Sequence, residues 1–217
     1  MNLRSELRCT LERFKIELPT DCVDRLSDYA SLVWEQNKTL NLTRHTTAEK
    51  FVLRDVLDTI ELSKLIHHGE EVLDIGRGGG VPGLTLAMMR PDLQISLCDS
   101  VAKKANAVQQ IARSLELDVA IYPMRAEELL EASRFDVCTA RAVGSIAKLC
   151  RWLDRVWLEV GRLLAVKGPK WKEERDEAAA LGLMKRVKIK VATEYTTPEI
   201  NAQNFILKIW SHALPEK

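Results

Sequence analysis

The sequence predicts an α/β fold, a doubly wound and mostly parallel sheet of seven strands preceded by a helical segment. Three observations predict it. From residue 70 onward, β-prone runs alternate with helical periodicities at the spacing of β-α-β units. A glycine cluster separates the first such run from the helix that follows it. The first third of the chain carries only helical spacing, with apolar residues three and four apart.

The elements follow in order. Leu3, Leu7, Leu11, Phe14 and Leu18 mark one helical face, and Leu26, Tyr29, Ala30, Val33 and Trp34 another. Pro19, Thr20 and Asp21 lie between them and suit a helix break followed by an N-cap. A third helix is expected over residues 48–66, with Phe51, Val52, Val56, Leu57 and Ile60 inward, and Gly69 ends the helical region. Strands at 72–75, 94–98, 119–122, 135–139 and 162–166 then alternate with helices at 81–89, 103–115, 126–130, 146–158 and 172–183. Pro82 falls in the first turn of the first of these helices, where its missing N–H costs nothing. Runs 187–195 and 204–210 have no helix between them. They read as a hairpin-like pair that places an antiparallel strand in the sheet.

Composition narrows the function classes. The 217 residues allow one elaborated domain or two small ones. With 46% apolar and 29% charged residues the chain is neither disordered nor collagen-like. Its longest apolar run, residues 84–89 with Thr85 inside it, is far short of the ~20 residues of a membrane span. Residues 1–15 mix arginines and glutamates where a secretory signal would be apolar, so the expected compartment is the cytoplasm. The net charge of +1, from 32 basic and 31 acidic residues, means that a nucleic-acid partner must be sought in local patches. Five cysteines, Cys9, Cys22, Cys98, Cys138 and Cys150, cannot all pair within the chain and form no C-x-x-C. Reduced, mostly buried thiols are expected, with no zinc or other metal and a monomer as the default state.

The most informative stretch is Asp74-Ile-Gly-Arg-Gly-Gly-Gly-Val-Pro-Gly83, which leaves the first strand and opens a helix. Glycines there permit a sharp turn and a close ligand approach, and the helix start adds free N–H groups. Gly78, Gly80 and Gly83 fit the dinucleotide fingerprint G-x-G-x-x-G, a weak signal alone, and a glycine-rich turn without a ligand competes with it. Two acids discriminate between ligands. Asp99 ends the second strand, roughly 20 residues beyond the loop, where an acid hydrogen-bonds ribose hydroxyls. It could also cap the helix beginning near Val101. Asp74, beside Gly76, would repel a pyrophosphate but suits a cationic ligand. S-adenosyl-L-methionine carries a sulfonium and no phosphate, so the pair favours that cofactor over a nicotinamide dinucleotide.

Four segments together resemble the RsmG-type (glucose-inhibited division protein B) family of ribosomal RNA guanine methyltransferases. They are Asn37-Lys-Thr-Leu-Asn-Leu-Thr43 followed by Arg54-Asp-Val-Leu-Asp58, the loop of residues 74–83, Leu97-Cys-Asp-Ser-Val-Ala-Lys-Lys104, and a set comprising Arg125-Ala-Glu-Glu128, Phe135-Asp136, Thr139, Arg141-Ala142 and Lys167-Gly168. The single motifs are moderately specific and their ordered conjunction is strong. The resemblance implies a class I S-adenosylmethionine-dependent methyltransferase fold, Rossmann-like over residues 69–217, with a helical N-terminal extension over residues 1–68. It implies methylation of nitrogen-7 of one guanine in 16S ribosomal RNA, either free or in the small ribosomal subunit. Gly76, Val81, Ala126, Glu127 and Arg141 resemble the family's cofactor-contacting positions, and Asp74, Gly78, Gly80 and Asp99 join them on the chemistry above. The chain departs from the family pattern at Arg77, where Ser or Thr is usual, at Val81 for a bulkier residue, at Asp55 for His, and at Gln36 for Trp.

Guanine nitrogen-7 has a free lone pair and no proton, so its methylation needs orientation and exclusion of water, not a general base. The scattered His45, His67, His68 and His212 are therefore expected in exposed or capping roles. Substrate positioning is expected from Asn41, Arg141 and Lys167. Arg141 could hold the cofactor carboxylate or a phosphate, against a plain salt bridge to Asp136 or Glu128. The basic loop Lys167-Gly-Pro-Lys-Trp-Lys172 offers Lys167, Lys170 and Lys172 to RNA phosphates, with Arg44, Arg54, Lys103 and Lys104 as further candidates. A nucleophilic role for Cys138 is the less favoured reading against packing within an apolar strand. The competing functions are a methyltransferase of the same fold acting on another substrate, a nicotinamide-dependent oxidoreductase, and a non-catalytic ribosome-binding relative.

Overall fold

A computed structural model describes residues 2–76 and 78–215. Asn2 caps helix α1 (Leu3–Arg13) by accepting the Ser5 amide at 2.9 Å, and Leu7 and Leu11, one turn apart, are its buried face. Helix α2 (Thr20–Leu40) starts directly after Pro19 and ends where Asn41 turns left-handed, at φ +50°. The expected third helix spans 48–63, but it is not a continuous α-helix. Helix α3 (Ala48–Lys50) passes through a π-helical segment (Phe51–Val56) into α4 (Leu57–Ser63). A π turn inserts an extra residue, a distortion frequent at functional sites. Asp55 lies within it and Asp58 just beyond it, and both bond the same arginine.

The sheet strands are β1 (Glu71–Ile75), β2 (Gln94–Cys98), β3 (Ala120–Tyr122), β4 (Phe135–Arg141), β5 (Val160–Lys167), β6 (Val187–Thr197) and β7 (Ala202–Ser211). Their order is β3-β2-β1-β4-β5-β7-β6. Strands β1 to β5 pair in parallel, while β7 runs antiparallel between β5 and β6. The expected hairpin is therefore present, with its second strand inserted inside the first. Helices α5 (Gly83–Met89), α6 (Ala102–Ser114), α7 (Ala126–Leu130), α8 (Ile146–Leu153) and α9 (Trp171–Ala180) make the crossovers. Three depart from expectation. Helix α5 begins after Pro82, which caps it. Helix α8 stops at Leu153, before the single 3-10 turn of Trp157–Glu159. Helix α9 stops at Ala180, ahead of the turn at Gly182.

Both faces of the sheet are buried. On β1, Val72 enters a cluster that continues through Leu84, Leu86 and Val108 into Leu26, Tyr29, Val33 and Phe51 of the helical segment. Leu73 and Ile75 enter the opposite cluster, with Cys138, Ile146, Leu149, Leu163 and Leu207. This alternation is the period-two pattern of a strand covered on both sides. The strand order reverses between β1 and β4, so a crevice opens beyond their carboxyl ends.

Candidate active site

Asp74 and Thr139 sit side by side on the parallel strands β1 and β4. The Thr139 hydroxyl donates to Asp74 Oδ1 at 2.8 Å, and the Gly83 amide donates to Oδ2 at 2.9 Å. Asp74 is 1% exposed, and burial pushes its carboxyl up to about 6 against these two hydrogen bonds, which favour the charged form. The loop-orienting role expected of Asp74 is thus explicit, and its charge lies at the crevice wall rather than projecting into it. The first two amides of helix α5 are already taken. The Gly83 amide is taken by Asp74 and the Leu84 amide by the Gly80 carbonyl at 2.7 Å. Gly80 has φ +88°, a left-handed conformation that side chains resist. A Cβ on Gly83 would lie 2.6 Å from Leu97 Cγ, so this glycine lets α5 pack onto β2. A Cβ on Gly76 would meet only Asp74, at 3.5 Å, and the space beside it is open.

That space is a trough of two chambers sharing Gly76, Cys98 and Asp99. The outer chamber adds Ser100, Met124, Ala126, Glu127 and Trp152. The inner chamber adds Asp74, Gly78, Gly80, Val81 and Ile121. Asp99 does not cap α6, whose N-cap is Val101 with no side-chain cap; it braces the turn before that helix. Its Oδ1 accepts the Val101 amide at 2.8 Å ahead of α6, while the carboxylate lines both chambers. The acceptors and shape fit a nucleoside with a cationic tail: an acid where ribose hydroxyls would lie, apolar walls beyond it, and a second acid at the inner end. Arg77 lies outside the described residues.

A larger cleft adjoins the trough and shares Gly78 and Val81 with it. Asn41, Arg44, Arg54, Lys104, Arg141 and Lys167 all line it. Lys103, Lys170 and Lys172 do not; they are exposed outside it, and Lys172 lies 5.9 Å from the Trp171 ring. Two expected roles need correction. The Lys167 ammonium is bonded to the Gly144 carbonyl and to Glu174 Oε2, so it ties down the loop after β4 instead of presenting a charge to phosphate. Arg141 pairs with neither Asp136 nor Glu128. Its Nε bonds Asp58 Oδ2 at 2.7 Å and a terminal nitrogen bonds Asp55 Oδ1 at 2.6 Å. Its guanidinium clamps the helical segment to the sheet, which occupies the fork expected to hold a carboxylate or phosphate of a ligand.

The cluster around Arg141 was not assigned from the sequence. Asp58 Oδ1 accepts the Tyr195 hydroxyl at 2.6 Å, and Asp55 Oδ1 lies 2.8 Å from His45 Nδ1. Burial pushes the Asp58 carboxyl up, and the adjacent Arg141 charge pulls it down. Two acids three residues apart among Phe51, Val52 and Val56 were the available signal, because charges on an apolar helix face need partners. Cys138 is fully buried and burial pushes its thiol well up, which leaves no thiolate nucleophile. Among the described residues no group of His, Cys, Asp and Glu side chains is placed to hold a metal ion, and no helix is long and apolar enough to cross a membrane.

This strand order, with a glycine loop after β1, an acid after β2 and a trough at the β1–β4 reversal, is the class I methyltransferase fold. The family model for GidB, rRNA small subunit methyltransferase G, matches residues 23–203, and the chain belongs to that family. A protein of Rhodopirellula baltica named ribosomal RNA small subunit methyltransferase G is 45% identical over 191 residues, covering 88% of this chain and 83% of its own. One of the same name from Chromobacterium violaceum is 31% identical over 206 residues, covering 94% and 96%. Among solved structures, M. capricolum TrmK in complex with S-adenosyl-homocysteine aligns with a TM-score of 0.55 at 14% identity, over 73% of this chain and 70% of that one, a likeness of fold. Family membership makes the protein an S-adenosylmethionine-dependent methyltransferase of small-subunit ribosomal RNA.

Proposed function

We propose that the protein methylates nitrogen-7 of one guanine in 16S ribosomal RNA, holding S-adenosylmethionine in the trough and the RNA in the adjoining cleft. The observation that carries this is the shared wall: Gly78 and Val81 line both spaces, so a base in the cleft lies directly against the inner end of the trough. When bound, the cofactor supplies a methyl group on a sulfonium. Asp99 faces the ribose, Ala126 and Glu127 wall the nucleoside end, and Gly76 leaves room for the chain between. Asp74 fixes the loop and sets a negative field at the inner end. Arg44, Arg54 and Lys104 supply cations for phosphates, and Asn41, at the end of α2, stands beside them. None of these groups is required as a base, since the target nitrogen has no proton to lose.

Residues 1–68 act in this reading as an extension that builds one cleft wall, and residues 69–217 as the Rossmann-like unit that builds the other. The protein works as a monomer in the compartment that holds ribosomes, the cytoplasm. Radiolabelled methyl transfer tests the function, using small subunits and 16S RNA from cells that lack this modification. The expected product is one 7-methylguanosine, mapped by chain cleavage at the depurinated base. Label on another atom or base, or no label with folded protein that binds the cofactor in calorimetry, overturns it.

A further inference from the structure

The loop between α2 and α3 carries His45 into the cleft wall, and it is held firmly for an exposed connection. The His45 amide donates to Thr43 Oγ1 at 3.0 Å, and its carbonyl accepts the Trp34 indole N–H at 2.8 Å. The ring is fixed as well, with Nδ1 2.8 Å from Asp55 Oδ1. A carboxylate oxygen only accepts, so the hydrogen of a neutral ring sits on Nδ1. The Arg141 nitrogen 3.5 Å from the same Nδ1 is itself a donor and cannot share that hydrogen. Nε2 is then left as an acceptor. The His45 side chain is 25% exposed, and it lines the cleft with Gly78 and Gly79 of the glycine loop. Asp58 does not compete for a ligand, because its two oxygens are committed to Tyr195 and Arg141.

We propose that His45 recognises the target base, its Nε2 accepting a hydrogen bond from the Watson–Crick edge of the guanine. The inference rests on the guanine-methylating function above and adds its specificity. The two edges of guanine have opposite chemistry. Nitrogen-7 and O6 accept, whereas N1–H and the 2-amino group donate. A base turned with nitrogen-7 toward the methyl donor presents its donors to side chains that line the cleft but not the trough, and His45 is one of them. An acceptor there is matched by guanine and meets a bare lone pair at N1 of adenine. Sites built around such a hydrogen bond reject the analogue that lacks it. Asp55 is the positioning residue, since it fixes which ring nitrogen carries the hydrogen.

The test uses the full chain and 16S RNA rebuilt by splinted ligation, and reassembled into subunits where the subunit is the substrate. The methylated position carries guanosine, inosine without the 2-amino group, or 2-aminopurine without N1–H; all three keep nitrogen-7. The wild type is expected to favour guanosine over at least one analogue by about tenfold or more, the equivalent of one hydrogen bond. His45→Phe, which keeps a ring without an acceptor, is expected to lose that preference while its cofactor affinity stays unchanged; its melting temperature falls, because Asp55 keeps Arg141 and loses the imidazole N–H. His45→Gln restores part of it through the amide oxygen, and His45→Ala replaces the Phe variant if that one fails to fold. A His45→Phe rate that is unchanged, or reduced by one factor on all three bases, overturns the proposal alone. A wild type that forms no 7-methylguanosine overturns the function beneath it as well.

Discussion

Replacing Arg141 by alanine removes the cation that two buried acids share. Its side chain is 13% exposed, and those of Asp55 and Asp58 are 5% and 2% exposed. Removing one partner from so enclosed a cluster leaves negative charge without compensation, at a cost of about 3–5 kcal/mol. For a chain of this size that lowers the melting temperature by about 6–20 °C. The loss has a pH signature. Burial pushes the Asp58 carboxyl up and Arg141 pulls it back down, so without the arginine the carboxyl rises further. An acid whose folded-state pKa lies above its unfolded value loses stability as the pH climbs through the folded-state pKa. The deficit of the variant is therefore largest near pH 8 and shrinks toward about pH 5. Urea melts of both proteins across that range measure it. A deficit below about 1 kcal/mol at neutral pH, the scale of an exposed pair, would refute a desolvated cluster. So would a deficit that does not change with pH. Arg141→Lys keeps the charge without the fork and falls between the two.

Other perturbations separate the trough from the cleft. Asp74, pushed up from 3.8 to about 6 by burial, contributes stability that is fully present below its unfolded value and lost as pH rises through about 6. Asp74→Asn flattens that slope in melts at graded pH and weakens S-adenosylmethionine binding about tenfold in calorimetry, through loss of the inner negative charge. Gly80→Ala, at φ +88° with Leu84 Cγ 2.9 Å from the new methyl, costs about 1–3 kcal/mol. Gly76→Ala melts like the wild type and loses cofactor affinity. Arg44→Ala, Arg54→Ala and Lys104→Ala each reduce the salt slope of RNA binding by about 1 in filter assays across ionic strength. Lys167→Ala leaves that slope unchanged and lowers stability by about 1–3 kcal/mol, because it frees the Glu174 carboxylate from its ammonium partner.

What the sequence made legible was whatever is written locally. The strands from 72 to 139, the loop from Asp74 to Gly83 and the acid at Asp99 announce themselves through alternation, glycine spacing and position. Their geometry follows from neighbouring β-α-β units. The π segment was not legible, because Phe51, Val52 and Val56 keep ordinary helical spacing in sequence while the backbone takes one extra residue. Arg141 was singled out and given the wrong partners. Its acids stand 83 and 86 positions earlier, and no local pattern reports a pairing across the fold. Lys167 looked like part of a basic RNA-facing loop, yet Glu174, seven residues on, occupies its charge across the turn into α9. The basic loop was visible as composition; the pairing that disarms one of its lysines was visible only in space.

The placement of β7 inside the final hairpin makes β6 the outermost strand, joined to the sheet only through β7. That edge strand carries Tyr195, whose hydroxyl reaches Asp58 of the helical segment. The edge of the sheet is thereby latched to the same buried acid that Arg141 grips from β4. The helical segment is held from the centre of the sheet and from its rim at a single carboxylate.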